Sequence, residues 1–265
     1  MKAIFYLLLS LLLFNACDLI EYSPNQAFDR NTPRDLNQKH IARLVQNSGD
    51  DTIRFALVGD SQRAYKDASD FVETANNKKG LDFVLLAGDI SDFGLLNEME
   101  WIDKIFSKLN APYIGVIGNH DMVANGENVF KRMYGKLNFS FIYKGIKFVC
   151  HNTNSREVNF DGNVPDMPWL KSELGPSAGV DAYIAVAHVP PFSVDFDPRL
   201  EASYVNLINS SPNTLAALYA HNHSEEVRYP NDQAIPYLVT YNIGRRQFLL
   251  IEIIEGRLKY ESVKY

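Results

Sequence analysis

Cysteine is almost missing from this chain: Cys17 and Cys150 are the only two in 265 residues. That excludes the disulfide framework that holds many small secreted domains together. No apolar run reaches the ~20 residues that a membrane span needs. Ile4 to Phe14, the most apolar stretch, falls short of it. An excess of positive charge is also lacking. The formal net charge is −6, which argues against nucleic-acid duplex binding. After Asp50 there is no Pro-, Gly- or Ser-rich linker, no internal repeat and no low-complexity segment. Residues 52–265 therefore read as one domain. What is present is an ordinary globular composition, 46% hydrophobic and 22% charged, with apolar material for a sizeable core.

The amino terminus has a separate grammar. Lys2 precedes the apolar stretch Ile4 to Phe14, as in the hydrophobic region of a secretory signal. The stretch ends in Phe14-Asn15-Ala16-Cys17, which resembles the lipobox of bacterial lipoproteins. There the cysteine is acylated and becomes the first mature residue. Phe14 and Asn15 depart from the commonest lipobox residues, and a simple secretion signal is the alternative. The resemblance implies export and a lipid anchor on Cys17, holding the protein to a bacterial membrane, periplasmic or surface-facing. Cys150, in Phe148-Val149-Cys150, is then expected to be a buried small hydrophobe. Residues 18–51 are polar, interrupted by Pro24 and Pro33, and read as a tether. Leu36, Ile41 and Leu44 have helical spacing, which predicts a short helix between Leu36 and Val45.

From Thr52 the pattern is strand and helix in alternation. Ile53–Gly59, Phe83–Gly88 and Tyr113–Ile117 read as strands buried on both faces. Asp67–Asn77 and Leu95–Leu109 read as helices, each with one apolar face. This order predicts parallel pairing with right-handed crossovers. Asn128–Tyr134 looks helical. Phe139–Tyr143 and Lys147–His151 flank Lys144-Gly145, a hairpin signal. Pro168 suits the first turn of a helix over Trp169–Leu174. Ala182–His188, Thr214–Ala220, Phe248–Ile254 and Leu258–Val263 are further apolar or alternating runs, and no element is assigned between Pro191 and Thr214. The expectation is an α/β fold: a two-sheet β-sandwich flanked by helices, its second sheet largely antiparallel.

The strands end alike. Val58-Gly59-Asp60, Ala87-Gly88-Asp89 and Ile117-Gly118-Asn119-His120-Asp121 each carry polar groups past an apolar run. Open α/β sheets build sites at such carboxyl ends. Gln62, His188, His221 and His223 complete the set. Any one of these residues alone has an ordinary explanation as a turn or core residue. Together, carboxylates, carboxamide oxygens and imidazoles suit borderline divalent metals such as Mn, Fe or Zn. A cation is also the simplest way to hold three aspartates close.

In order, these blocks resemble the signature of the calcineurin-like metallophosphoesterases: Asp-x-His, Gly-Asp, Gly-Asn-His-Asp, a lone His and Gly-His-x-His. The match runs from about Ile53 to His223. It implies a four-layer αββα fold and metal-dependent hydrolysis of a phosphate ester by a hydroxide bridging two metals. It further implies Asp60, Gln62 and His223 at one metal, Asn119, His188 and His221 at the other, and Asp89 between them. His120 would be the proton donor or charge stabiliser, with Asp121 orienting its ring. Two residues depart from the signature. Gln62 replaces a histidine, a harder donor that shifts preference towards Mn; the same replacement marks a branch acting on nucleotide diphosphates and diesters, so these are favoured slightly over monoesters. Ala220 replaces a glycine. The Asp-Arg-Gly of the Ser/Thr protein phosphatases is also missing, Asp92-Phe93-Gly94 standing in its place, which excludes that subfamily. Arg63, Arg245 and Arg246 are weaker candidates for contacts to a small phosphorylated substrate. The competing expectation is a lipoprotein that binds a phosphorylated or nucleotide ligand on the same fold without turnover.

Overall fold

A computed structural model of the protein describes residues 28–46, 50–232 and 234–265. The signal, Cys17 and residues 18–27 and 47–49 of the tether lie outside the described residues. The first strand, β1 (Ile53–Val58), shows how the layers arise. Its side chains alternate between two apolar compartments. Phe55 and Leu57 enter the core between the sheets, while Ala56 and Val58 face a layer of helices. β2 (Phe83–Leu86) is divided the same way, with Phe83 and Leu85 on one side and Val84 and Leu86 on the other. In the second sheet, Ile184 and Val186 of β6 (Ala182–Val186) face the central core, and Tyr183 and Ala185 face outer helices. Uninterrupted apolar runs are needed here because each strand is covered on both faces.

The first sheet has the order β11-β10-β1-β2-β3, with β3 at Tyr113–Gly115, β10 at Gln247–Ile254 and β11 at Arg257–Lys264. β1, β2 and β3 pair in parallel, as the alternation of strand and helix predicts. α2 (Tyr65–Asn76), α3 (Leu96–Phe106) and α4 (Gly126–Met133) bury Phe71, Ile102, Phe106 and Phe130 against its outer face.

The second sheet runs β4-β5-β6-β7-β9-β8. Its strands are β4 (Phe139–Tyr143), β5 (Ile146–Cys150), β7 (Thr214–Tyr219), β8 (Glu226–Arg228) and β9 (Tyr237–Val239), with β6 between β5 and β7. It corrects the expectation of a largely antiparallel sheet. β5, β6, β7 and β9 pair in parallel, and only the two edge pairs are antiparallel. The last two strands do not join this sheet. β10 crosses back to pair antiparallel with β1, and β11 pairs antiparallel with β10. The parallel pairing depends on a helix the sequence reading left unassigned, α6 (Pro198–Ser210), which crosses from β6 to β7. Its signals were present: Asp197 caps the first turn, Pro198 follows, and Leu200, Tyr204 and Ile208 recur at helical spacing. Together with α5 (Met167–Glu173) it covers the sheet's outer face.

α1 (Leu36–Leu44) is more than the end of a tether. Asn37 accepts from the Gly115 N–H at 2.9 Å and donates to its carbonyl at 2.8 Å. It thereby satisfies the free edge of β3, which would otherwise invite pairing. Cys150 is buried and unpaired, as expected. Among the described residues, no helix is long and apolar enough to cross a membrane.

Candidate metal centre

The parallel strands of both sheets deliver their carboxyl ends to one cleft. Past those ends the chain turns sharply, through left-handed backbone at Asp60 (φ 52°), Asp89 (φ 53°), His221 (φ 73°) and His223 (φ 57°). Such backbone is uncommon outside glycine, and its recurrence at the polar residues themselves is the kind of strain that functional sites retain.

Asp89 is the centre. It is 1% exposed, and its two oxygens face different groups. Oδ1 lies 3.3 Å from Nε2 of His188. Oδ2 lies 3.3 Å from the side-chain nitrogen of Gln62. On the Oδ1 side, His188 Nε2 and His221 Nδ1 each come within 3.0 Å of Asn119 Oδ1. The far nitrogens of both rings are engaged. His188 Nδ1 is 2.7 Å from the Ala87 carbonyl, and His221 Nε2 is 3.0 Å from Asp195. The other nitrogen of each ring faces inward, the arrangement that orients metal-binding histidines. His223 Nε2 approaches Asp60 Oδ1 to 3.2 Å. Asp60 Oδ1 and Gln62 Oε1 are buried without a hydrogen-bond partner. Unpartnered buried oxygens are costly. Asp60 Oδ1 lies beside the His223 imidazole, and carboxylate, carboxamide and imidazole together are a donor set that fits divalent cations. Ligand atoms of Asp60, Asp89 and His188 all lie within 4.8 Å of one another.

The charges are mutually adjusted. Burial would lower the His188 pKa, but the Asp89 carboxylate outweighs it and raises the ring to about 9. Burial likewise opposes ionisation of Asp89, and His188 overcomes it, holding the carboxyl below its usual range. Burial, then the neighbouring His188, lowers His221, whereas Asp60 raises His223.

Tight packing sustains the geometry. A methyl group on Gly118 would collide with the backbone nitrogen and carboxylate of Asp89. The methyl of Ala220, the departure noted above, is accommodated because Gly59 opposite carries none.

His120 stands beside this centre, its side chain 40% exposed. Its backbone N–H donates to Asp89 Oδ1 at 3.0 Å. Its ring is not held by Asp121, which corrects the expected role of that residue. Asp121 is fully buried and accepts from the backbone N–H groups of Ile90, Ser91 and Gly118 and from the Ser91 hydroxyl. Burial and the nearby Asp89 push its pKa up to about 6. It knits the loops after β2 and β3 together. The ring of His120 is held by Asp92, whose carbonyl oxygen lies 3.0 Å from Nδ1.

The three arginines separate. Arg63 lines the cleft and pairs with Asp92 at 2.6 Å. Arg246 is taken up by Asp67, Asp70 and the Tyr265 carbonyl, which occupies its guanidinium away from any phosphate contact. Arg245 is exposed, one residue beyond the cleft-lining Gly244. The sequence reading missed Asp92 and Asp195 as holders of His120 and His221, and also Asn242, which lines the cleft. All three sit on irregular loops without a periodic signal.

The chain belongs to the calcineurin-like phosphoesterase family, whose pattern matches residues 53–225. It is a hydrolase acting on phosphoester bonds, and the family implies a pair of divalent metals. Solved structures share the fold. A dimetal phosphatase from Danio rerio is 12% identical, covers 80% of this chain and 99% of its own, and has a TM-score of 0.60. Purple acid phosphatase PPD1 from yellow lupin is 12% identical, with 80% and 51% covered and a TM-score of 0.63. GAP50 of Plasmodium, described as the anchor in the inner membrane complex, is 15% identical, with 80% and 84% covered and a TM-score of 0.60. No curated protein sequence matches the chain.

Proposed function

We propose that the protein is an exported, lipid-anchored phosphodiesterase or nucleotide diphosphate hydrolase that works with two manganese ions. Asp60, Gln62 and His223 would hold one cation and Asn119, His188 and His221 the other, with Asp89 shared between the two groups. The observation that carries this reading is the division of Asp89: one oxygen towards each group of donors. Gln62, a neutral oxygen donor in place of an imidazole, favours Mn over softer choices. Divalent cations held there would supply the positive charge that a phosphoryl group under attack requires. His120, its Nδ1 bonded to the Asp92 carbonyl, is left with Nε2 to give a proton to the leaving oxygen. That fixed ring weighs against a role in binding alone, for which no proton donor is needed.

The test is hydrolysis of a phosphomonoester, a diester and a nucleotide diphosphate by purified protein loaded with Mn, Fe or Zn. Diester or diphosphate turnover above monoester turnover, highest with Mn, is expected. No turnover with any metal would reject the enzymatic reading. Anchoring rests on the lipobox-like Phe14-Asn15-Ala16-Cys17. Cys17→Ser should abolish labelling by a fatty-acid analogue, and unchanged labelling would reject the lipid anchor.

A further inference from the structure

The cleft bordered by Asp60, Gln62, His120 and His223 is small, about 220 Å³, below the roughly 300–1,000 Å³ of pockets that enclose a whole ligand. It can take a phosphoryl group, but the body of a substrate must pass over its rim. A side chain on the rim beside the proton donor therefore meets the leaving group. Arg63, Asp92 and His120 form one continuous side of the cleft, joined through Asp92. Phe93 follows Asp92 directly and is 52% exposed.

That exposure is built into the loop. The buried Glu98 carboxylate accepts from the backbone N–H groups of Asp92 (3.2 Å), Phe93 (2.9 Å) and Leu95 (3.3 Å). Gly94 packs against the Val123 carbonyl with no room for a side chain, so exposed Val123 lies on adjoining backbone. The Arg63 guanidinium sits over the Phe93 ring, 5.7 Å from its centroid, and is held there by Asp92. Its side chain remains 71% exposed. A pinned aromatic ring and a pinned planar cation at one lip offer π faces and positive charge together.

We propose that Phe93, with Arg63 over it, forms the leaving-group subsite and accepts a flat aromatic group. This rests on the phosphoesterase reading and on His120 as proton donor. Water gives up one proton to solvent as its oxygen bonds to phosphorus, the phosphorus–oxygen bond to the leaving group breaks, and His120 later regains a proton from solvent. The electron pair stays on the leaving oxygen, which takes the proton from His120. The aromatic body attached to that oxygen is then left against Phe93.

The test uses full-length Mn-loaded protein and two inhibitors of matched bulk, phenylphosphonate and cyclohexylphosphonate, titrated by calorimetry. It adds the KM for methyl 4-nitrophenyl phosphate, whose only aromatic group is the one that leaves. Wild type should prefer the phenyl compound. Phe93→Ala should weaken it by on the order of tenfold and raise the KM similarly, with cyclohexylphosphonate unchanged. Phe93→Trp should restore both values, which also shows that the loop tolerates substitution. Equal binding of the two phosphonates by wild type, or equal loss of both in Phe93→Ala, overturns the subsite and leaves the phosphoesterase reading standing. Failure of wild type to bind either compound and to hydrolyse any ester removes both.

Discussion

A carboxylate oxygen of Asp195 lies 3.0 Å from Nε2 of His221, and its other oxygen holds Arg156 at 2.7 Å. With the Nε2 proton donated to Asp195, Nδ1 keeps its lone pair towards Asn119 and the metal centre. Asp195→Ala should therefore reduce Mn affinity by about 10–100-fold. Asp195→Asn, which keeps an acceptor oxygen, should recover part of the loss. Calorimetric Mn titration of the three proteins measures this, and identical affinities would show that His221 needs no such partner.

Asp89→Asn removes the negative charge between the two groups of donors. Both metals should weaken together, because His188 and the carboxamide of Gln62 lie against opposite oxygens of the same carboxylate. Elemental analysis after gel filtration should find well under the two ions per chain expected of wild type. Two ions retained by the variant would remove Asp89 from the bridging position.

His120→Ala should lower turnover by roughly 10²–10⁴-fold while metal content stays the same. The loss should be smaller for a nitrophenyl diester than for an alkyl diester, since nitrophenolate leaves without a proton. Equal losses would instead make His120 a stabiliser of charge on the phosphoryl oxygens. Near-wild-type rates on both esters would dismiss it from the reaction.

His151 predicts a pH dependence of stability. It is buried, with Nε2 2.8 Å from the Tyr204 hydroxyl. Burial depresses its pKa to about 4, partly opposed by the Val149 carbonyl. The folded state thus keeps the ring neutral where the unfolded chain, titrating near 6.5, binds a proton. Its contribution is fully present above pH 6.5 and is lost as pH falls towards 4, on the order of 3 kcal/mol in total. Urea unfolding in chelator should show a shallower decline over this window for His151→Gln than for wild type. Parallel declines would mean that the ring is protonated in the fold.

The features written locally in the sequence are those that local physics governs. Apolar runs ending in Gly-Asp or Gly-Asn-His-Asp specified buried strands and the polar groups beyond them. Apolar spacing in α2 and α3 specified which faces meet the sheet. These signals need only the neighbouring residues, and they gathered Asp60, Asp89, Asn119, His188, His221 and His223 before any coordinates. Pairing across the chain was not local. The second sheet became parallel because α6 returns the chain to the same edge, and β10 chose β1 over the nearer strands. The partners of the site were decided in the same way. Asp92 meets His120 across 28 residues and Asp195 meets His221 across 26. Asp121, adjacent to His120 in sequence, turns instead into the core to bind Ile90, Ser91 and Gly118. A carboxylate's nearest neighbour in the chain says little about its hydrogen bonds, because buried N–H groups left open by distant turns compete for it. Only the tertiary structure brings those turns together.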